Sequence, residues 1–405
     1  ALVWQDRRTA DLCRQLKAQG TEAMVTAKTG LLLDPYFSAT KIAWLLERLP
    51  DLRPLAERGD VLFGTVETWL LWNLANGAIH ATDAANASRT MLLDLHSGAW
   101  SEPLLEDLRI PPAMLPCVIA NSGPLAEIDA RHFGRALPLT GMAGDQQAAL
   151  FGQACFAPGQ AKNTYGTGSF LLLTTGSTPT PCHNRILSTI AWRLSAGETT
   201  YAREGAIFST GSAVQWLRDG LGIIPDASAV EPLAASVPDS GGVFLVPAFT
   251  GLGAPHWDAA ARGAVLGLTP GSTAAHLARA TLEAIAFQTR DVVDAMTASG
   301  GVPLRELRVD GGAARNDLLL QIQADSLGVP VLRPANVETT ALGAAYLAGL
   351  GAGLYDGLPE IARHWRAERV FEPRISADER NTHHAQWRRA VNRALRWEHA
   401  GASYD

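Results

Sequence analysis

Cysteine is scarce: four of 405 residues, Cys13, Cys117, Cys155 and Cys182, with no two spaced as a metal-binding pair. That usage excludes a disulfide-stapled scaffold and a zinc cluster, and points to reduced thiols in a cytoplasmic protein. Charge is sparse as well, at 18% of residues, and the balance of −6 carries no lysine- or arginine-rich block. This balance argues against nucleic acid or an anionic membrane as main partner, and any basic site is local. No apolar run approaches a membrane span, and no signal peptide opens the chain. The opening Ala1-Leu2-Val3-Trp4 has no initiator methionine and reads as a buried strand without a polar approach, so a missing preceding segment is expected.

What the chain does have is 47% hydrophobic residues, 38 glycines and 11 tryptophans. This describes a well-packed protein too long for one ordinary core, so two domains are expected. Strand-like and helical patterns alternate through residues 1–152, which read as one α/β domain. A helix is expected at 38–49, a buried helix within 62–76, and strands at 123–128 and 137–141. After Gly152 the pattern restarts with a hairpin, which places the boundary near 152–159 and the second domain at 153–405. There, strands are expected at 186–192, 199–203 and 304–310, a long helix at 273–299 and a small-residue helix at 339–348. A basic and aromatic helix at 381–399 reads as a peripheral cover.

The chemistry concentrates in residues 141–170, GMAGDQQAALFGQACFAPGQAKNTYGTGSF. Asp145 opens a helical pattern, and the Tyr165-Gly-Thr-Gly168 turn precedes an apolar strand, offering backbone N–H groups and the Thr164 and Thr167 hydroxyls to an anion. Taken alone, Asp145 reads equally as a helix cap, and the glycines as a plain turn. A carboxylate near an anion cradle points to phosphoryl transfer onto a hydroxyl. Gly311-Gly312, where a strand hands over to a helix, would let backbone approach a nucleotide, or would simply form the loop before Asn316 as cap.

Longer strings carry a resemblance. VWQDRRT (3–9), LFGTVETWL (62–70), NASRTML (86–92), AGDQQAALFGQ (143–153), KNTYGTGSF (162–170), PAFTGLGAPHWD (247–258), RGAVLGLT (262–269) and RVDGGAARND (308–317) resemble, in order, the glycerol kinases of the FGGY carbohydrate-kinase family. The resemblance implies the two-domain α/β ATPase fold of actin, hexokinase and Hsp70, which is ribonuclease H-like, here with its first domain incomplete at the N-terminus. It implies transfer of the ATP γ-phosphate to glycerol, giving sn-glycerol 3-phosphate, with Mg²⁺ and with Asp145 as general base. Trp4, Tyr36, Asp145, Gln146 and Phe170 match the glycerol-binding positions. Thr167 matches the second phosphate loop, Gly211 and Gln215 match nucleotide contacts, and Gly312 and Asn316 match the adenosine loop. No metal ligand is carried over. A homo-oligomer, dimer or tetramer, is also implied.

Two departures stand out. The family's Asp-x-Gly-Thr phosphate loop and its Arg-Glu pair for two glycerol hydroxyls are not among these 405 residues. The loop 129–136 keeps His132 and Arg135 but one glycine, where some bacterial members bind a sugar bisphosphate inhibitor on a glycine-rich basic loop. Two other readings stand beside the first: a kinase of another polyol or sugar, and a non-catalytic nucleotide-binding module.

Overall fold

The computed structural model describes residues 1–181, 184–195, 197–298 and 301–398. Cys182, and the ends of the helices expected to reach Ser299 and His399, lie outside the described residues. Cys13, Cys117 and Cys155 are free thiols, as expected.

A seven-stranded sheet organises the second half. Its spatial order is Ala367–Phe371, Val331–Pro334, Glu306–Asp310, Gln160–Tyr165, Ser169–Gly176, Thr199–Ile207 and Leu187–Arg193. Gln160–Tyr165 and Ser169–Gly176 form the expected hairpin, with Thr164 opposite Phe170. Glu306–Asp310 then lies parallel to Gln160–Tyr165, placing Asp310 beside Thr164. Antiparallel strands leading into parallel ones give the ribonuclease H-like order that the resemblance implied.

The strand Ser169–Gly176 shows how side chains sort across this sheet. Leu171 and Leu173 enter the core beneath the helices Ala274–Thr297 and Asp317–Leu327. Leu172 points the other way, toward Phe151, Trp192 and Leu347. This is the two-residue period of a strand buried on both faces. On the Leu172 side lie the helices Asp145–Gly152 and Thr339–Gly351. They cross without room for side chains: a methyl group on Gly152 would overlap the Thr339 carbonyl, and one on Gly343 would overlap the Ala148 carbonyl. Thr339–Gly351 also receives the first domain, since Ser122 Oγ donates to Leu347 O and Thr140 Oγ1 to Ala348 O, both at 2.8 Å.

The first half is mostly helical. Leu31, Leu33, Phe37, Ile42, Leu46, Leu105 and Met114 fill a core between short helices. Among the described residues its strands form only two-stranded pairs, including Ala81–Asp83 parallel to Cys117–Ile119, so the expected alternating α/β domain is reduced. Residues 1–4 form no strand, contrary to expectation, and Val3 and Trp4 are exposed. A strand needs a neighbour to satisfy its backbone, and here the Val3 carbonyl instead accepts from Lys41 Nζ at 2.6 Å. The helix Val66–Leu74 is present but not buried as expected, because Val66, Trp69 and Leu70 face outward. The C-terminal helix, Ala377–Ala394, is more than a cover: Trp387 is buried against Phe287 and donates to Asp291 Oδ2 at 2.7 Å.

One buried carboxyl makes a pH prediction. Asp83 accepts from Asn86 N at 2.9 Å and from Asn121 Nδ2 at 2.7 Å, while its other oxygen has no partner. Burial, then the neighbouring Glu67, pushes its titration well above the usual carboxylate range. The folded state therefore keeps a proton that the unfolded state sheds, so stability falls as pH rises from the ordinary Asp range toward the raised value. Asp83→Asn should flatten that decline, measured as Tm against pH. An unchanged slope would show that Asp83 stays ionised.

Candidate active site

Three aromatic residues far apart in sequence meet at one edge of the site. Trp4 lies 5.7 Å from Tyr36 and 6.0 Å from Phe170, edge to face in both cases. Tyr36 is delivered by Asp34, whose carboxylate accepts from Tyr36 N at 2.9 Å just before the helix Ser38–Arg48. Phe170 is placed by the hairpin. The Tyr36 phenol is pushed upward in pKa chiefly by burial, then by the charge of Glu204, with Arg89 opposing. It is therefore a neutral hydroxyl at any ordinary pH.

Asp145 is the first residue of its helix, with Gly144 as cap, so the helix N-terminus favours its negative charge. It is exposed, and both oxygens are engaged by its neighbour: Gln146 N donates to Oδ1 at 2.8 Å and Gln146 Nε2 to Oδ2 at 2.9 Å. Behind Gln146 sits Lys162, whose Nζ donates to Gln146 Oε1 and, at 3.0 Å, to Thr164 Oγ1. Lys162 is fully buried. Burial lowers its pKa, while Asp310, Asp145 and Glu204 pull it back.

On the far side of Thr164 a cavity of about 320 Å³ opens at the ends of the parallel strands, lined by Thr164, Asp310, Gly311, Gly312, Arg315, Glu338 and Thr339 among others. Gly311 has φ +86°, and a methyl group there would overlap the Tyr165 carbonyl, so the strand ends are held close by glycine. Asp310 accepts from Gln153 Nε2 at 2.9 Å and from the Thr339 hydroxyl.

The Gly166–Gly168 turn is fastened to the helix that follows. Thr210 N and Ser212 N both donate to Thr167 O at 3.0 Å, and Gly211 N donates to Gly166 O at 3.0 Å. Thr167 itself is exposed. Gly211 and Gln215 bound the short helix Gly211–Gln215, after which the helix widens into a π turn over Trp216–Gly220. Gly312 lines the cavity, whereas the Asn316 side chain caps the helix Asp317–Leu327 by accepting from Leu319 N at 2.8 Å. Thus Trp4, Tyr36 and Phe170 come together, Asp145 and Gln146 adjoin the buried Lys162, and Thr167, Gly211 and Gly312 surround the strand ends. Residues outside the sequence expectations are Lys162, Asp310, Thr339 and the pair of half-buried Arg89 with buried Glu204, joined at 2.6 Å.

The N-terminal domain of the FGGY family of carbohydrate kinases matches residues 1–152, and its C-terminal domain matches residues 161–352. The chain belongs to the FGGY carbohydrate kinases. Within that family it is similar to the glycerol kinase of Aromatoleum aromaticum, 62% identical over 98% of this chain and 80% of that one. The glycerol kinase of Trichlorobacter lovleyi is 58% identical over the same shares. Among solved structures, Plasmodium falciparum glycerol kinase with ADP superposes with a TM-score of 0.91 at 35% identity, covering 98% of this chain and 79% of that one. A xylulose kinase from Lactobacillus acidophilus, at 21% identity and a TM-score of 0.84 over 97% and 79% of the two chains, shares the fold.

No helix among the described residues is long and apolar enough to cross a membrane. Nor do the described residues hold a group of three metal-ligating side chains.

Proposed function

We propose that this FGGY kinase transfers the γ-phosphate of ATP to glycerol, forming sn-glycerol 3-phosphate and ADP. The observation that carries the reading is the position of Asp145. It stands at a helix N-terminus, near enough to Tyr36 of the aromatic wall for its charge to act on the phenol, and its neighbour Gln146 is held by Lys162 of the strand that runs into the glycine turn. The names of the relatives at 58–62% identity support glycerol as acceptor, and the ADP-bound neighbour supports the nucleotide.

In this reading Trp4 and Phe170 cover the carbon backbone of glycerol, while Tyr36 and Gln146 meet its hydroxyls. Asp145 takes the proton from the terminal hydroxyl as that oxygen attacks the γ-phosphorus and the bond to the ADP oxygen breaks. Backbone N–H groups of the Gly166–Gly168 turn and the Thr167 hydroxyl neutralise the phosphates, with Gly211, Gln215, Gly312 and Asn316 along the nucleoside. Phosphoryl transfer passes through a loose transition state, so positioning and charge neutralisation dominate. The two domains span residues 1–152 and 153–405, and they close on the substrates around 152–159. The assembly is a cytoplasmic homo-oligomer, a dimer or tetramer, which sedimentation velocity would resolve.

The test is ATP-dependent phosphorylation of a panel of glycerol, xylulose and gluconate, read by coupled ADP release. Glycerol should be the preferred acceptor, and a preference for either sugar acceptor would overturn the reading. Trp4→Ala should raise KM for glycerol about tenfold, since one side of the aromatic wall is lost, with KM for ATP unchanged. An unchanged glycerol KM would remove Trp4 from the acceptor site.

A further inference from the structure

Among the described residues, Lys162 is the one buried cation that reaches the carboxylate of Asp145 through a single intervening side chain. It sits mid-strand, in register with Arg308 on the neighbouring parallel strand. No part of it is exposed. A buried ammonium is costly unless its donors are used, and two of its three N–H bonds go to Gln146 Oε1 and Thr164 Oγ1. The first of these decides the orientation of an otherwise symmetric-looking amide. With Oε1 held by Lys162, the NH₂ group of Gln146 must face Asp145, and it donates to Oδ2 there at 2.9 Å.

The surrounding charges fit a structural ammonium. Asp145 acts on it from its helix, Asp310 from the adjacent parallel strand and Glu204 from Thr199–Ile207, two strands away across Leu172, with the Cys155 thiol beside them. Arg89 occupies Glu204 from the other side, and Arg308 is turned to Glu306 and to the carbonyls of Gln153 and Ala154. Lys162 thus stands between the carboxylate end of the site, through Gln146, and the cavity end, through Thr164.

We propose that Lys162 is a positioning residue for phosphoryl transfer: by holding Gln146 Oε1 it turns the amide NH₂ onto Asp145 and keeps that carboxylate in one orientation. The inference rests on the kinase reading above. Lys162 is fully buried and acts through Gln146, so its loss should appear in kcat and, through the same amide, in KM for glycerol, but not in KM for ATP.

Lys162→Met keeps the length of the side chain and removes the charge. Turnover should fall about 10- to 100-fold, the range expected when a reacting group is misplaced slightly. KM for ATP should stay within about threefold while KM for glycerol rises as the Gln146 amide turns, Tm should not fall, and the acidic limb of the kcat profile should move to higher pH. The double variant Lys162→Met with Gln146→Leu should be no slower than the slower single variant, because both act along one chain of hydrogen bonds. A second readout needs no turnover. The side-chain amide of Gln146, identified by NMR through its loss in Gln146→Leu, should be protected from solvent exchange in the native protein and unprotected in Lys162→Met. Unchanged amide protection in Lys162→Met overturns the inference whatever the activity. Failure of the native protein to phosphorylate glycerol, with the amide behaving as expected, overturns the kinase reading and leaves the Lys162–Gln146–Asp145 arrangement standing.

Discussion

Replacing Asp145 by asparagine should lower kcat for glycerol phosphorylation by about 10²- to 10⁴-fold, the contribution of a positioned general base. In barrier terms that is roughly 3–5 kcal/mol. The change keeps the shape of the side chain and one hydrogen-bonding oxygen, and Asp145 is exposed, so no cavity or buried charge is left behind. What the fold loses is the favourable meeting of a carboxylate with a helix N-terminus, about 0.3–1 kcal/mol. Tm should therefore move by only a few degrees while turnover collapses, and KM for ATP should hold. A kinetic assay beside a thermal melt separates the two effects. Full activity in a folded variant would show that the proton leaves by another route.

The second large effect is structural and reaches the site through the helix crossing. Gly343→Val should destabilise the protein by at least about 3 kcal/mol, because the new side chain meets the Ala148 carbonyl and neither helix can yield without moving the other. The helix that must shift begins with Asp145, and its partner begins with Thr339, which donates to Asp310 at the cavity. Soluble yield and Tm should both fall sharply. Gly353→Ala, two residues beyond the end of the same helix, has open space around it and left-handed backbone, so it should cost much less. Equal Tm losses for the two would mean that the crossing is not the source of the strain.

The hairpin was legible because two signals coincide there: an apolar run on both sides of a strand and glycines at the turn. The long helix expected at 273–299 was legible for a similar reason, and Ala278, Leu282, Ile285 and Thr289, spaced along Ala274–Thr297, are all buried. The small-residue helix expected at 339–348 is present, and its Gly343 packs against the Ala148 carbonyl. Residues 1–4 misled because apolar content marks burial in a strand only when a partner strand is present to pair with it. The helix Val66–Leu74 misled in the same way, its composition being apolar all round while one face stays open. No periodicity announces the π turn after Gln215.

The site was legible in a different sense. Local sequence left Asp145 balanced between cap and base, and nothing local joins Trp4 to Phe170, 166 positions later. Their assembly followed from the resemblance, and the aromatic contacts at 5.7 and 6.0 Å realise it. Lys162 was passed over because a lysine beside Asn163-Thr164-Tyr165 reads as the polar approach to a turn. The usable signal was its place inside a strand whose neighbours Ala161, Asn163 and Tyr165 are all buried. A charged residue mid-strand in a two-sided sheet must have partners, and those partners define the site.

The central claim is tested most directly by phosphorus NMR of the protein incubated with ATP, Mg²⁺ and glycerol. Glycerol 3-phosphate and ADP should appear in equal amounts, and neither should accumulate at that rate with Asp145→Asn. Release of inorganic phosphate without glycerol 3-phosphate, or equal transfer by the asparagine variant, would contradict the account.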